Sequence, residues 1–166
     1  VGTQVLLDLT KKYNLRLHQV STDEVYGSVD PFKDVVTEEF MYNPSSPYSA
    51  SKTAADLLCI AYAKTFGTNV TISRCTNNFG KYQHPEKLIG TVISKTPKNE
   101  KIPVYGKGNQ RRHWIYVDKH NRAVMNILEK GKIGKIYNIA PPKENWLTNM
   151  KLIKFINLFY ILLILE

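Results

Sequence analysis

Cysteine is scarce in this sequence: only Cys59 and Cys75 occur, with no paired spacing. A secreted disulfide framework needs several partnered cysteines, so the chain is expected to work in a reducing compartment, the cytoplasm. His18, His84, His113 and His120 are scattered outside any ligand spacing, which argues against a bound metal. Long apolar runs are missing too. The most apolar stretch, KFINLFYILLILE, is shorter than the roughly 20 residues that span a bilayer and carries Asn157, so it reads as a buried or adhesive terminal segment. No signal or targeting segment, internal repeat or low-complexity tract stands out. None of the 9 glycines belongs to a G-x-x-G-x-x-G loop of the kind that cradles phosphates. Acidic residues are the minority charge, 14 against 23 Lys and Arg, for a net +9 and a pI near 9.5. Such an excess suits an anionic partner. The bases are dispersed, with no basic tail or RNA-binding signature, so a nucleotide diphosphate held by a few Arg and Lys fits better than nucleic acid.

What is present is ordinary for a folded chain: 166 residues, 43% hydrophobic and 22% charged, enough for a sizeable core. Apolar periodicity predicts an opening helix through Val5, Leu6 and Leu9. Strands follow over Arg16–Ser21, Asn69–Ser73, Ile102–Tyr105, His113–Tyr116 and Ile136–Ile139. Further helices are expected near Tyr48–Phe66, Pro85–Thr96, Asp118–Lys130 and from Asn149 onward. This alternation means an α/β protein. Ser28 to Pro47, rich in proline, reads as an exposed loop.

Two places carry chemistry. VSTDEVYGS puts Thr22, Asp23 and Glu24 directly behind the first strand, before the turn at Gly27. In open parallel sheets the carboxyl ends of strands are where ligands bind, although a solvated acidic turn reads the same way. The second place is PSSPYSASKTAADLL, a helix start with Pro47 in its first turn and with Tyr48 and Lys52 four apart on one face. An ammonium beside a phenol would lower its pKa toward a range useful at neutral pH; the alternative is a tyrosine at a helix start with its lysine in solvent.

Taken together, STDEVYG, SSPYSASK, RCTNNFGKYQHPEKLI, PVYGKGNQRRHWIYV and GKIYNIA, in this order, resemble the extended short-chain dehydrogenase/reductase superfamily. Within it they resemble the nucleoside-diphosphate-glucose 4,6-dehydratases, from about Leu6 to Ala140. The Asp-Glu pair points to that branch, since sugar-nucleotide 4-epimerases and decarboxylases share the Tyr/Lys helix but not normally the acid pair. Two adjacent acids suit an elimination, which needs a base and an acid.

The resemblance implies the C-terminal part of a Rossmann-type doubly wound parallel sheet plus part of a small substrate-binding lobe. Residues 1–80 would hold the second half of the NAD-binding domain with the catalytic residues, and 81–166 an incomplete substrate lobe with returning Rossmann elements. It implies NAD as cofactor, touched by Ser21, Tyr48, Lys52 and Cys75. Tyr48 would be the base at the sugar 4-hydroxyl, with Lys52 holding the nicotinamide ribose and Thr22 bonding the reacting hydroxyl. Glu24 would take the C5 proton, and Asp23 would protonate the departing 6-hydroxyl. Asn78, Glu86, Lys87, Leu88, Pro103, Tyr105, Arg112 and Asn138 would grip a dTDP- or UDP-hexose, Arg112 at the diphosphate. Leu88 and Pro103 could equally serve packing. A homodimer built on the Tyr/Lys helix is implied, with no nucleic-acid or membrane partner. The family's glycine loop would lie upstream of Val1 and its substrate lobe would continue beyond NLFYILLILE. The chain is therefore expected to be truncated at both ends and inactive alone, the alternatives being a non-catalytic remnant of this family or a related sugar-nucleotide epimerase or decarboxylase. Lys81, His113 and Lys119 depart from the family's usual residues and are expected to alter the substrate pocket.

Overall fold

A computed structural model of the chain describes residues 2–30, 34–142 and 146–164. The elements are α1 (Gly2–Lys12), β1 (Leu17–Thr22), a 3-10 turn (Asp23–Tyr26), α2 (Pro47–Phe66), β2 (Val70–Cys75), β3 (Asn77–Phe79), α3 (Leu88–Lys95), β4 (Arg111–Tyr116), α4 (Val117–Lys130), β5 (Ile136–Ile139), β6 (Trp146–Thr148) and α5 (Asn149–Ile164). They fall into two compact units, Val1–Thr76 with Lys119–Ile139, and Asn77–Asp118 with Ala140–Glu166.

The first unit is a parallel sheet in the order β1-β2-β5. All of β2 except Cys75 is buried, as expected for a strand flanked on both sides. Its Val70 and Ile72 meet Leu7 of α1 and Cys59 of α2 in a core without solvent exposure. Burying such a side chain contributes about 1.5–3 kcal/mol, so this small cluster anchors the unit. Helix α2 is bounded by local chemistry. Ser46 and Ser49 form a reciprocal capping box at 3.1 and 3.0 Å, and Pro47 opens the first turn. Gly67, at φ 65°, closes the helix with its amide on the Ala63 carbonyl while Thr68 reaches back to Tyr62. Arg16 donates to the carbonyls of Ile127 and Gly131 at 2.9 and 2.8 Å, placing a cation at the C-terminus of α4.

The second unit carries a mixed sheet, β3-β4-β6, parallel between β3 and β4 and antiparallel between β4 and β6. Helices α3 and α5 pack within it, burying Ile89, Val92, Leu152 and Ile153, and Thr96 bonds Asn157 at 2.6 Å. Asn157 thus has a defined partner inside the apolar terminal helix.

Three expectations about elements change. Ile102–Tyr105 forms no strand: Pro103 has no N–H for a ladder, and the chain turns at once through Gly106 and Gly108, both at positive φ. The third helix begins at Leu88 rather than Pro85, because Gly90 lies close against His84 and Pro85, which fold as a turn before it. The loop between Ser28 and Pro47 is not simply exposed. Phe40 packs edge-on against Tyr26 at 5.9 Å, and the Asn43 amide bonds the Val25 carbonyl.

Candidate functional site

In the first unit the end of β1 and the start of α2 converge. Thr22 ends β1 and caps the 3-10 turn, accepting from the Glu24 amide at 3.3 Å and directing its hydroxyl to the Asp23 carboxylate at 3.4 Å. This Asx-like geometry holds both acids at the strand's carboxyl end. Gly27 lets the chain leave the turn: at φ 73° a Cβ there would lie 2.0 Å from the Asn43 carbonyl oxygen. Thr22 lies beside Cys75 in the β1-β2 register, and the Cys75 thiol donates to the Ser21 carbonyl at 3.5 Å.

Tyr48, in the first turn of α2, is half-exposed and faces this cluster. Its pKa is raised, first by partial burial, then by the Glu24 carboxylate, with Cys75 and Asp23 adding to it; the Thr22 hydroxyl works the other way. The expected lowering by Lys52 is therefore corrected. Lys52 donates to the Val20 carbonyl at 2.9 Å, so its ammonium is committed to β1 while two acids crowd the phenol.

Asn138, anticipated as a substrate contact, has protein partners in this structure. Its side-chain oxygen accepts from the Tyr26 phenol at 2.7 Å, its amide nitrogen donates to the Val36 carbonyl at 3.4 Å, and its backbone N–H donates to Glu38 at 2.8 Å. One end of the side chain holds the acid turn through Tyr26, and the other holds the loop before α2 through Val36. The residue at the hub of this region, Arg74, went unremarked in the sequence. A charged residue inside the otherwise neutral VTISRC strand was the available signal.

The other candidates belong to the second unit, spread over several elements. Asn78 sits on β3 opposite Ile115, its carbonyl held by Gln83 at 2.9 Å. Glu86 and Lys87 are exposed in the turn before α3, and Leu88 is half-buried at that helix's first position. Pro103 and Tyr105 are exposed in the loop leading to β4. Arg112 is exposed on β4 beside Leu147, with its guanidinium on the Arg111 carbonyl at 2.9 Å. His113 packs edge-on against Trp146 at 4.3 Å, and burial lowers its pKa to about 4. It is a neutral aromatic neighbour at ordinary pH. Among the described residues no group of three or more His, Cys, Asp or Glu is arranged to hold a metal ion, and no helix is long and apolar enough to cross a membrane.

The sequence model of the NAD dependent epimerase/dehydratase family matches residues 1–140. A dTDP-glucose 4,6-dehydratase of Mycolicibacterium smegmatis is 46% identical over 155 residues, covering 92% of this chain and 47% of the relative. The crystal structure of dTDP-glucose 4,6-dehydratase from Bacillus anthracis in complex with NAD is 44% identical, with a TM-score of 0.88 over 92% of this chain and 49% of its own. That of a dTDP-glucose 4,6-dehydratase from Streptomyces venezuelae with NAD and TYD bound is 41% identical, with a TM-score of 0.85 over 93% of this chain and 47% of its own. The chain spans about half the length of the relatives it matches.

Proposed function

The chain belongs to the NAD dependent epimerase/dehydratase family, and from that premise we propose that it carries the acid–base half of a 4,6-dehydratase acting on dTDP-glucose, with UDP-glucose the competing substrate. The observation that carries this reading is the convergence of Thr22, Asp23 and Glu24 on Tyr48 at the carboxyl end of a parallel strand. An epimerase has no use for two further acids there, whereas elimination of water needs both.

The donor set suits one end of a dinucleotide: the phenol of Tyr48, the ammonium of Lys52 and the Cys75 thiol lie near the ends of β1 and β2, with Ser21 buried beneath them. These residues would hold the nicotinamide end, while the pyrophosphate would need a glycine loop that this sequence does not supply. NAD, when bound, supplies the oxidation at C4 and the later reduction at C6. Tyr48, once it is the phenolate, takes the proton of the sugar 4-hydroxyl, and Thr22 bonds the same oxygen. Glu24 removes the C5 proton, acidified by the 4-keto group. Asp23 gives a proton to the 6-hydroxyl, which leaves as water. With Tyr48 raised rather than lowered, the chain's own electrostatics keep the phenol protonated at neutral pH. Activating the base is then left to whatever moves Lys52 from Val20 toward the phenol or relieves the pressure of Glu24.

Arg112, Lys87 and the exposed Tyr105 are proposed to meet the nucleotide diphosphate, Arg112 through its planar fork. Asn78, Glu86, Leu88 and Pro103 remain proposed sugar or base contacts, resting on motif position alone. A homodimer is proposed through α2, where Ala54, Leu57 and Ala61 are exposed, whereas Leu58 and Tyr62 lie against the core. Neither Cys59 nor Cys75 is in a disulfide, in keeping with a cytoplasmic setting.

The test is a chimera in which this chain replaces the matching span of the M. smegmatis relative, followed by reduced-nicotinamide absorbance in single turnover. Glu24→Gln should pass the first redox step and then stall, with dehydration slowed by about a hundredfold or more, whereas Tyr48→Phe should block the first step. Asp23→Asn should slow loss of water by a smaller factor, since solvent can partly replace the acid. Formation of the 4-keto-6-deoxy product at an unchanged rate by Glu24→Gln would reduce the acid pair to a solvated turn. The isolated chain should neither bind NAD at micromolar concentration nor turn over; titration calorimetry decides this.

A further inference from the structure

The largest fully buried side chain of the described residues is a charged one, Arg74 near the end of β2, 1% exposed. Burying a guanidinium is costly unless its donors are satisfied, so what they satisfy is informative. Its Nε donates to Asp56 Oδ2 of α2 at 3.0 Å, an ion pair with both side chains wholly buried. Nη1 donates to the Tyr26 phenol at 2.8 Å and to the Glu38 carbonyl at 3.3 Å, and Nη2 donates to the Tyr42 phenol. The guanidinium also lies over the rings of Tyr26 and Tyr42, 4.8 and 4.5 Å from their centroids. The Tyr26 hydroxyl donates a hydrogen bond to the side-chain oxygen of Asn138, which in turn bonds Val36 and Glu38.

Each partner belongs to a segment that presents a proposed acid–base group. Tyr26 is the last residue of the turn that begins with Asp23 and Glu24. Glu38 and Tyr42 lie in the loop that delivers Pro47 and Tyr48. Asp56 is four residues beyond Lys52 and eight beyond Tyr48, on the same face of α2. We propose that Arg74 is a positioning residue: a single buried guanidinium ties the acid turn, the loop before α2 and α2 itself to one strand, and thereby fixes where Asp23 and Glu24 stand relative to Tyr48. That this placement matters for catalysis rests on the dehydratase reading; the placement itself does not. Lysine cannot substitute, because an ammonium is a point charge and cannot span partners on opposite sides of a planar fork.

Arg74→Lys in the full chain leaves Asp56 buried beside a misplaced cation and is prone to misfolding, so Tyr26→Phe is made alongside it. Tyr26→Phe keeps the ring under the guanidinium and removes only the hydroxyl linking Arg74 to Asn138. Two readouts are taken: amide hydrogen exchange, and the titration of Tyr48 followed by NMR of ring-labelled tyrosine assigned with Tyr48→Phe. Exchange over residues 23–27 and 34–43 should quicken about tenfold or more while Val70 and Ile72 stay within about twofold, in keeping with local rather than global opening. The Tyr48 pKa should fall toward 10, its ordinary value, as the burial of the phenol is relieved and the acids move off. Acceleration spread evenly through β2 and α2 would make Arg74 a stability residue only. A Tyr48 titration that stays in place in Tyr26→Phe would overturn the proposal. Neither readout uses product formation, so failure of the dehydratase reading in the chimera would leave this result standing, and the reverse.

Discussion

The two units of this chain use charge in opposite ways. The first holds twelve Lys and Arg against nine Asp and Glu, the second eleven against five, so the second carries +6 of the net +9. Beside many exposed charges, the first unit turns one pair inward and bonds other groups together: Arg74 and Asp56 are buried as a pair, Lys52 is bound to a strand carbonyl, and Thr22, Asp23, Glu24 and Tyr48 bear on one another. In the second, Lys87, Lys107, Arg111 and Arg112 stay exposed on turns and on β4. An inward, mutually bonded set fixes geometry, which acid–base chemistry requires; an outward basic set attracts anions without needing a fixed geometry. Under the proposed function, chemistry falls to the first unit and grip to the second.

The largest effect that sharpens this contrast is structural. Ile72→Ala, at a position without solvent exposure in the core of the first unit, should cost about 2–5 kcal/mol in urea unfolding. A loss below 1 kcal/mol would mean that the α1–α2–β2 cluster does not anchor the unit. Next comes Arg112→Ala in the chimera. Losing a charge-assisted contact to a diphosphate should raise KM by about tenfold to a hundredfold, with kcat and the melting temperature nearly unchanged. A fall in kcat at constant KM would move Arg112 from grip to chemistry.

A smaller effect separates the units by pH. His113 in the second unit and His18 in the first both have lowered pKa values, His113 to about 4, through burial in each case, with His120 and Arg16 repelling the charged form of His18. A histidine depressed in the folded state binds fewer protons there than when unfolded. The stability it contributes is full above pH 6.5, its ordinary pKa, and is lost as pH falls toward the folded value. Because His113 sits on Trp146, a Trp114→Phe variant should show tryptophan quenching with a midpoint near 4. A midpoint near 6.5 would place the imidazole in water instead. The smallest effect concerns thiols. Burial, with Asp56 adding to it, pushes Cys59 up to about 12, so a thiol reagent on the native chain should label Cys75 alone. Equal labelling would mean that the core around Cys59 opens freely.

Much of this was legible in the residues. Ile136–Ile139 was read with its own bounds, and the helix from Tyr48 to Phe66 differs only by Pro47, because a proline, a capping serine and a terminal glycine mark its ends chemically. The three-residue strands Asn77–Phe79 and Trp146–Thr148 were not read, since three residues show no period. Ile102–Tyr105 was misread because apolar alternation there outweighed the cost of Pro103. Motif order points to Thr22, Asp23, Glu24, Tyr48 and Lys52 as candidates, but not to the direction of the phenol's shift or to the bonds of Asn138 with Tyr26 and Val36.

What the sequence determined by itself is local and periodic: helix ends set by caps, a buried strand, two acids behind it, and a Tyr/Lys pair on one helical face. These depend on neighbours within a few positions, and the chain order states them. Tertiary structure decided the rest. Lys52 goes to Val20, 32 residues away, rather than to the tyrosine one turn before it, because β1 at the edge of the sheet offers a carbonyl there. Arg74 binds partners 18 to 48 residues away, and Asn138 reaches back 112 to Tyr26. Electrostatic pressure on a side chain depends on distance in space, and only the parallel register of β1, β2 and β5 brings those groups within reach.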